Sequence, residues 1–126
     1  YLLLQQSELL PESLSTRGES VPLGAGLGTL VFQKDADRGL SRDLLERGLN
    51  VRFRIGGEAI KPFGHRHTRK LKKLLQDEGV VPWMRDRLPL LCAGDELVAV
   101  GDLWLADAAV TEPGVGLRWI DRPALH

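Results

Sequence analysis

The chain has 126 residues, 43% apolar and 27% charged, with seventeen Lys+Arg matching seventeen Asp+Glu. This is enough for one domain with a real core, and it excludes wholesale disorder and a uniformly basic polycation. A lone cysteine, Cys92, makes no internal disulfide and no metal site by itself, which suits a reducing compartment. No apolar run reaches the roughly 18 residues of a membrane helix, so a cytoplasmic location without membrane contact is expected. The chain starts at Tyr1, with no basic lead into its leucines, so it is expected to be a piece of something longer and not to carry a signal peptide.

Residues 1–19 are expected to be a lead-in from a preceding region, since Leu2, Leu3, Leu4, Leu9 and Leu10 give way to Pro11 and a Ser/Thr-rich patch. A single domain is expected over 20–126. Gly24, Gly26 and Gly28 mark a turn, followed by a strand over 29–32. Residues 35–48 are charged and fit a loop or one helical turn. Over 49–55, Leu49, Val51, Phe53 and Ile55 alternate with Asn50, Arg52 and Arg54, which predicts a strand with its arginines in water. Gly56-Gly57 ends it. A helix is predicted over 69–78, with Thr68 as N-cap, Gly79 as stop and a Leu71, Leu74, Leu75 stripe. Pro82 starts a short helical turn. Strands over 89–93 and 96–100 flank a tight turn at Gly94-Asp95, and further strands are predicted over 103–106 and 116–120. The class is α+β.

Several familiar chemistries are excluded. The glycines at 24, 26 and 28 fall short of a dinucleotide fingerprint, because Thr29 follows and no convincing strand precedes them. There is no GxxxxGK[ST] phosphate loop and no GxSxG elbow. His65 and His67 have no cysteine pair or carboxylate at metal spacing, so a solvated or RNA-facing loop is expected. Cys92 reads as an inert core residue, and Asp95 and Glu96 as hairpin-turn residues. No catalytic residue, metal ligand or cofactor is expected in this segment.

The neutral total conceals a local excess. Residues 52–73 hold eight basic side chains against Glu58 alone, a charge of +7, and the rest of the chain carries −7. Arg69, Lys70, Lys72 and Lys73 crowd the predicted helix start, where the helix dipole favours anions. With Arg66 and His67 just before them they form a nest suited to phosphate. The bland reading is a solvated polar face. A third is a basic module that meets an acidic protein surface or a second subunit.

The ordered motifs R-F-R-I-G-G-E-A-I-K over 52–61, R-K-L-K-K-L-L over 69–75, V-P-W-M-R-D-R-L-P-L-L over 81–91 and G-D-E-L-V-A-V over 94–100 together resemble the C-terminal domain of bacterial tRNA(Ile)-lysidine synthetase. The resemblance covers about residues 20–120. It implies a parent ligase that uses ATP with Mg2+ to adenylate the wobble cytidine of the CAU-anticodon isoleucine tRNA, after which lysine displaces AMP. That catalytic region, which binds ATP and lysine, carries an S-G-G-x-D-S motif absent from this sequence. The resemblance therefore implies a tRNA-binding segment, engaging the acceptor stem, and leaves homodimerisation open. It places Arg54, Lys61, Lys70, Lys72 and Lys73 on basic positions of the family pattern, with Arg66 and Arg69 in its variable loop. Arg85, in the P-W-x-R-D element, joins that tRNA-binding set. It also implies a β-rich, sandwich-like core of short strands with one main helix and flanking short helices, related to a domain of the phenylalanyl-tRNA synthetase β subunit. Pro82, Trp83, Pro89, Leu90 and Leu91 are read as scaffold. Trp83 is expected to be buried against the leucine stripe, the alternative being a stacking surface for a base or ribose.

Overall fold

The computed structural model describes residues 20–24 and 26–126; the lead-in expected over 1–19 lies outside them. Two antiparallel sheets share one apolar core. The first has five strands in the order β1 (Ser20–Pro22), β2 (Thr29–Ala36), β11 (Gly114–Ile120), β3 (Gly39–Leu40) and β10 (Val110–Thr111). Its longest pairing sets β11 against β2, with Leu117 opposite Phe32 and Trp119 opposite Leu30. The backbones of β3 and β11 touch at two glycines. A Cβ on Gly39 would lie 2.2 Å from the Val115 carbonyl oxygen, so only glycine fits there.

The second sheet has four strands in the order β4 (Asn50–Arg52), β7 (Leu90–Ala93), β8 (Glu96–Val100) and β9 (Trp104–Leu105). The β7–β8 hairpin turns at Gly94-Asp95 as predicted, with Gly94 in the left-handed region. Leu49, Val51 and Phe53 are buried, as their alternation requires, but Ile55 is 78% exposed. The strand ends at Arg52, and Gly56 and Gly57 turn the chain away with φ values of 113° and 82°. Ile55 therefore leaves the pleat before the alternation can bury it.

A two-stranded hairpin, β5 (Ala59–Ile60) with β6 (Arg69–Lys70), carries the loop 61–68. The main helix, α2 (Leu71–Glu78), follows directly; α1 (Arg42–Arg47) precedes β4, and α3 (Pro82–Arg85) follows α2 with Pro82 in its first turn. The α+β class agrees with the sequence reading. So does the leucine stripe, because Leu71, Leu74 and Leu75 are all buried.

The helix starts two residues later than predicted, and Thr68 does not cap it. Lys70 is the N-cap, in extended conformation, with no side-chain capping bond. Arg69 and Lys70 pair instead with Ile60 and Ala59, and the Leu71 N–H donates to the Glu58 carbonyl at 2.9 Å. Cross-strand bonds satisfy this segment's backbone, so a helical turn there gains nothing. The stop at Gly79 is as predicted. Its φ is 80°, and the Val80 N–H reaches back to the Leu75 carbonyl in a Schellman arrangement.

Trp119 pins the first sheet to the second. Its ring packs over Gly101, just past β8, its Nε1–H donates to the Leu27 carbonyl, and its backbone N–H donates to Asp102.

Candidate nucleic-acid interface

Glu58, the one acid of the basic block, organises it. Its carboxylate is buried and accepts three hydrogen bonds: from Arg52 Nη1 at 2.8 Å, from the Ile55 N–H at 2.9 Å and from the Gly56 N–H at 3.0 Å. Burial alone would push this carboxyl up, but the Arg52 bond and the backbone donors outweigh it, and Glu58 sits below the usual glutamate range. Burial likewise pulls the Arg52 guanidinium down, and the bond to Glu58 with neighbouring negative groups more than restores it. Since the Glu58 carbonyl also receives the first helical N–H, one residue fixes strand β4, the Gly56-Gly57 turn and the entrance of α2 together. Sequence reasoning missed this. The signal was a single acid, six residues after Arg52, among eight bases.

The sequence-predicted cations fall into two groups. Arg54 binds Asp86 through both Nε (2.9 Å) and Nη2 (2.7 Å), tying the glycine turn to the residue after α3. Arg69 pairs with Asp77 and holds that carboxyl below its ordinary range, with the charge of Lys73 adding to the effect. Lys61 stands 3.6 Å from Asp107, and Arg85 Nε donates to the Val80 carbonyl at 2.8 Å. Arg54, Arg69 and Arg85 are hydrogen-bonded within the fold, while the Lys61 pair is longer than a hydrogen bond and both its side chains are partly exposed. Arg66, Lys70, Lys72 and Lys73 are exposed, and none forms an ion pair with a carboxylate among the described residues. They lie on one continuous unit, the hairpin tip and the start of α2. No acidic side chain stands in the first turn of that helix. Lys73 points away from the buried leucines of α2 and Lys72 lies on their flank, and both side chains are exposed to water.

Trp83 corrects an expectation. It is 72% exposed and not buried against the leucine stripe. Helix α3 has only four residues and buries Met84, which turns the preceding side chain outward. His65 and His67 are exposed in the hairpin loop. Among the described residues no group of three or more His, Cys, Asp or Glu could hold a metal ion, and no helix is long and apolar enough to cross a membrane. Cys92 is buried in β7, and burial pushes its thiol up in spite of nearby Arg52. Such a thiol is a poor nucleophile.

Residues 49–119 match the family described as the TilS substrate C-terminal domain. The tRNA(Ile)-lysidine synthase of Coxiella burnetii is 44% identical over 81 residues, which is 64% of this chain and 18% of that protein. The enzyme of the same name from Xylella fastidiosa (strain Temecula1) is 51% identical over 74 residues, 56% of this chain and 17% of that protein. That of Yersinia pseudotuberculosis (serotype I) is 35% identical over 118 residues, 91% of this chain and 24% of that protein. The chain thus spans about a quarter or less of the length of these relatives. With more than half of its residues inside the matched block, it belongs to the TilS C-terminal domain family.

Proposed function

We propose that this chain is the tRNA-binding C-terminal segment of a cytoplasmic tRNA(Ile)-lysidine synthase, the ATP-dependent ligase that joins lysine to the wobble cytidine of the CAU-anticodon isoleucine tRNA. The segment binds tRNA, at the acceptor stem, and makes no bond itself. ATP with Mg2+ and lysine are handled by another region of the parent. One observation carries this reading: Arg66, Lys70, Lys72 and Lys73 are exposed on one hairpin–helix unit and form no ion pair among the described residues, while Arg54 and Arg69 beside them are tied down. Held arginines fix the surface; exposed lysines are point charges free to meet phosphates. Kinship of the fold with a phenylalanyl-tRNA synthetase β-subunit domain is part of the same reading and rests on the motif resemblance.

A second reading, a basic protein-interaction or dimerisation module, is favoured by exposed Trp83 and Ile55. Salt separates the two. An RNA binder loses affinity linearly in log–log form as counterions are released. The 126-residue chain alone is expected to bind tRNA weakly, within about 10⁻⁴ to 10⁻⁶ M at physiological salt. Lys70→Ala/Lys73→Ala should weaken that binding and flatten the slope by about 0.7 to 0.9 per lost phosphate contact. Its stability should stay within about 0.5 kcal/mol of wild type, because both side chains are exposed. Filter binding across a salt series tests this. Wild-type affinity with an unchanged slope in the double variant would refute the RNA-binding face.

A further inference from the structure

A surface cleft of about 240 Å³ opens beside the basic hairpin, lined by Arg38, Phe63, Leu103, Trp104, Leu105 and Val110. Phe63 is 42% exposed, yet its backbone is fixed. Its N–H donates to the Leu105 carbonyl at 2.8 Å, Pro62 bridges to Ala106, and the His65 N–H donates to the Pro62 carbonyl at 2.9 Å. A backbone held in place at the surface lowers the ordering that a ligand stacking on this side chain would have to supply. The Arg38 guanidinium lies over one face of the Phe63 ring, 4.6 Å from its centre, in a cation–π contact. Its pairing with Glu112, at 3.6 Å, is longer than a hydrogen bond and leaves N–H donors for another acceptor.

The same loop runs on from Phe63 to exposed His65, Arg66 and His67, and no acid occurs between Glu58 and Asp77. The cleft therefore combines aromatic walls, a planar donor and an adjoining cationic loop. It is smaller than the roughly 300–1,000 Å³ that holds a drug-sized ligand, so it suits a single ring system. An apolar peptide side chain would use the walls and waste the cations; an acidic peptide would do the opposite.

We propose that this cleft holds one unpaired nucleobase of a bound RNA strand. The base stacks on Trp104 and on the part of Phe63 that Arg38 leaves open, its edge accepts hydrogen bonds from the free Arg38 N–H groups, and the flanking phosphate meets the His65–His67 loop. Every base has a π-face, so the site distinguishes an unpaired nucleotide from a paired one and does not select a particular base. This rests on the RNA-binding reading above.

The test titrates the 126-residue chain with a blunt RNA hairpin and with the same hairpin extended at its 3′ end by a short single strand containing 2-aminopurine. The extended RNA is expected to bind more tightly, and its 2-aminopurine fluorescence to be quenched. Phe63→Ala should weaken the extended RNA about five- to a hundredfold, bringing it level with the blunt one, and Phe63→Tyr should restore it. Arg38→Ala, on an exposed side chain, should reduce the same preference without relying on the Phe63 site to fold. Equal affinity for the two RNAs, or equal weakening of both by Phe63→Ala, would overturn the base site and leave RNA binding standing. Binding of neither RNA by the wild type would overturn both. Self-association without RNA that Phe63→Ala abolishes, seen by sedimentation, would assign the cleft to a second copy and overturn the nucleobase.

Discussion

Replacing Glu58 by glutamine is expected to cost about 3 kcal/mol of folding stability. Breaking a buried ion pair by removing one partner costs about 3–5 kcal/mol, and the lower end applies because Arg52 keeps 24% of its side chain exposed while Glu58 keeps 4%. The amide preserves shape but leaves a guanidinium and two converging backbone N–H groups without their anion. The pH dependence gives a second readout. A carboxyl held below its unfolded value stabilises the fold fully above about pH 4.3, and this contribution is lost as pH falls through the lower folded value. The gap between wild type and Glu58→Gln should thus be widest near neutrality and close on acidification. Urea unfolding at pH 7 and over pH 3–5 measures both. A variant as stable as wild type at pH 7 would mean that the turn holds without its carboxylate.

Trp119→Ala should be equally damaging, at about 3–5 kcal/mol. The indole is buried between the sheets, so its loss leaves a cavity over Gly101 and an unpaired Leu27 carbonyl. Trp119→Phe should recover most of the packing but not the hydrogen bond, retaining a loss of about 1–3 kcal/mol. Thermal or denaturant unfolding of the pair separates the two contributions. If alanine cost less than about 1 kcal/mol, the sheets would have to be held together elsewhere.

The legible part of this chain is its local part. The 49, 51, 53 alternation, the Gly94-Asp95 hairpin, the Leu71/Leu74/Leu75 stripe and the Gly79 stop each depend on neighbours within a few residues, and each is present. What could not be read depends on distant partners. Arg54 meets Asp86 thirty-two residues away, and Lys61 meets Asp107 across the fold, so sequence spacing could not distinguish engaged cations from exposed ones. Arg69 and Asp77 lie eight residues apart and pair only because Arg69 precedes the helix in a strand. The same strand pairing overrode the helical start expected at Thr68. Trp83 was misjudged because hydrophobicity predicts burial on average, whereas a four-residue helix has one face to bury and Met84 takes it.

The pairing of β2 with β11 bears on where this domain can be cut. The family match begins at residue 49, but β1, β2 and β3 all precede it. A chain trimmed to 49–119 would keep most of β11 and strip away the strand that pairs along most of its length, uncovering Leu117 and Trp119 beside a row of unsatisfied backbone groups. Such an edge is a template for intermolecular strand addition. The trimmed chain is expected to aggregate or to bind hydrophobic dyes, while the 126-residue chain stays monodisperse by light scattering. The minimal folding unit is thus expected to be larger than the block by which the family is matched, because β2 occupies the edge that β11 would otherwise offer to another molecule.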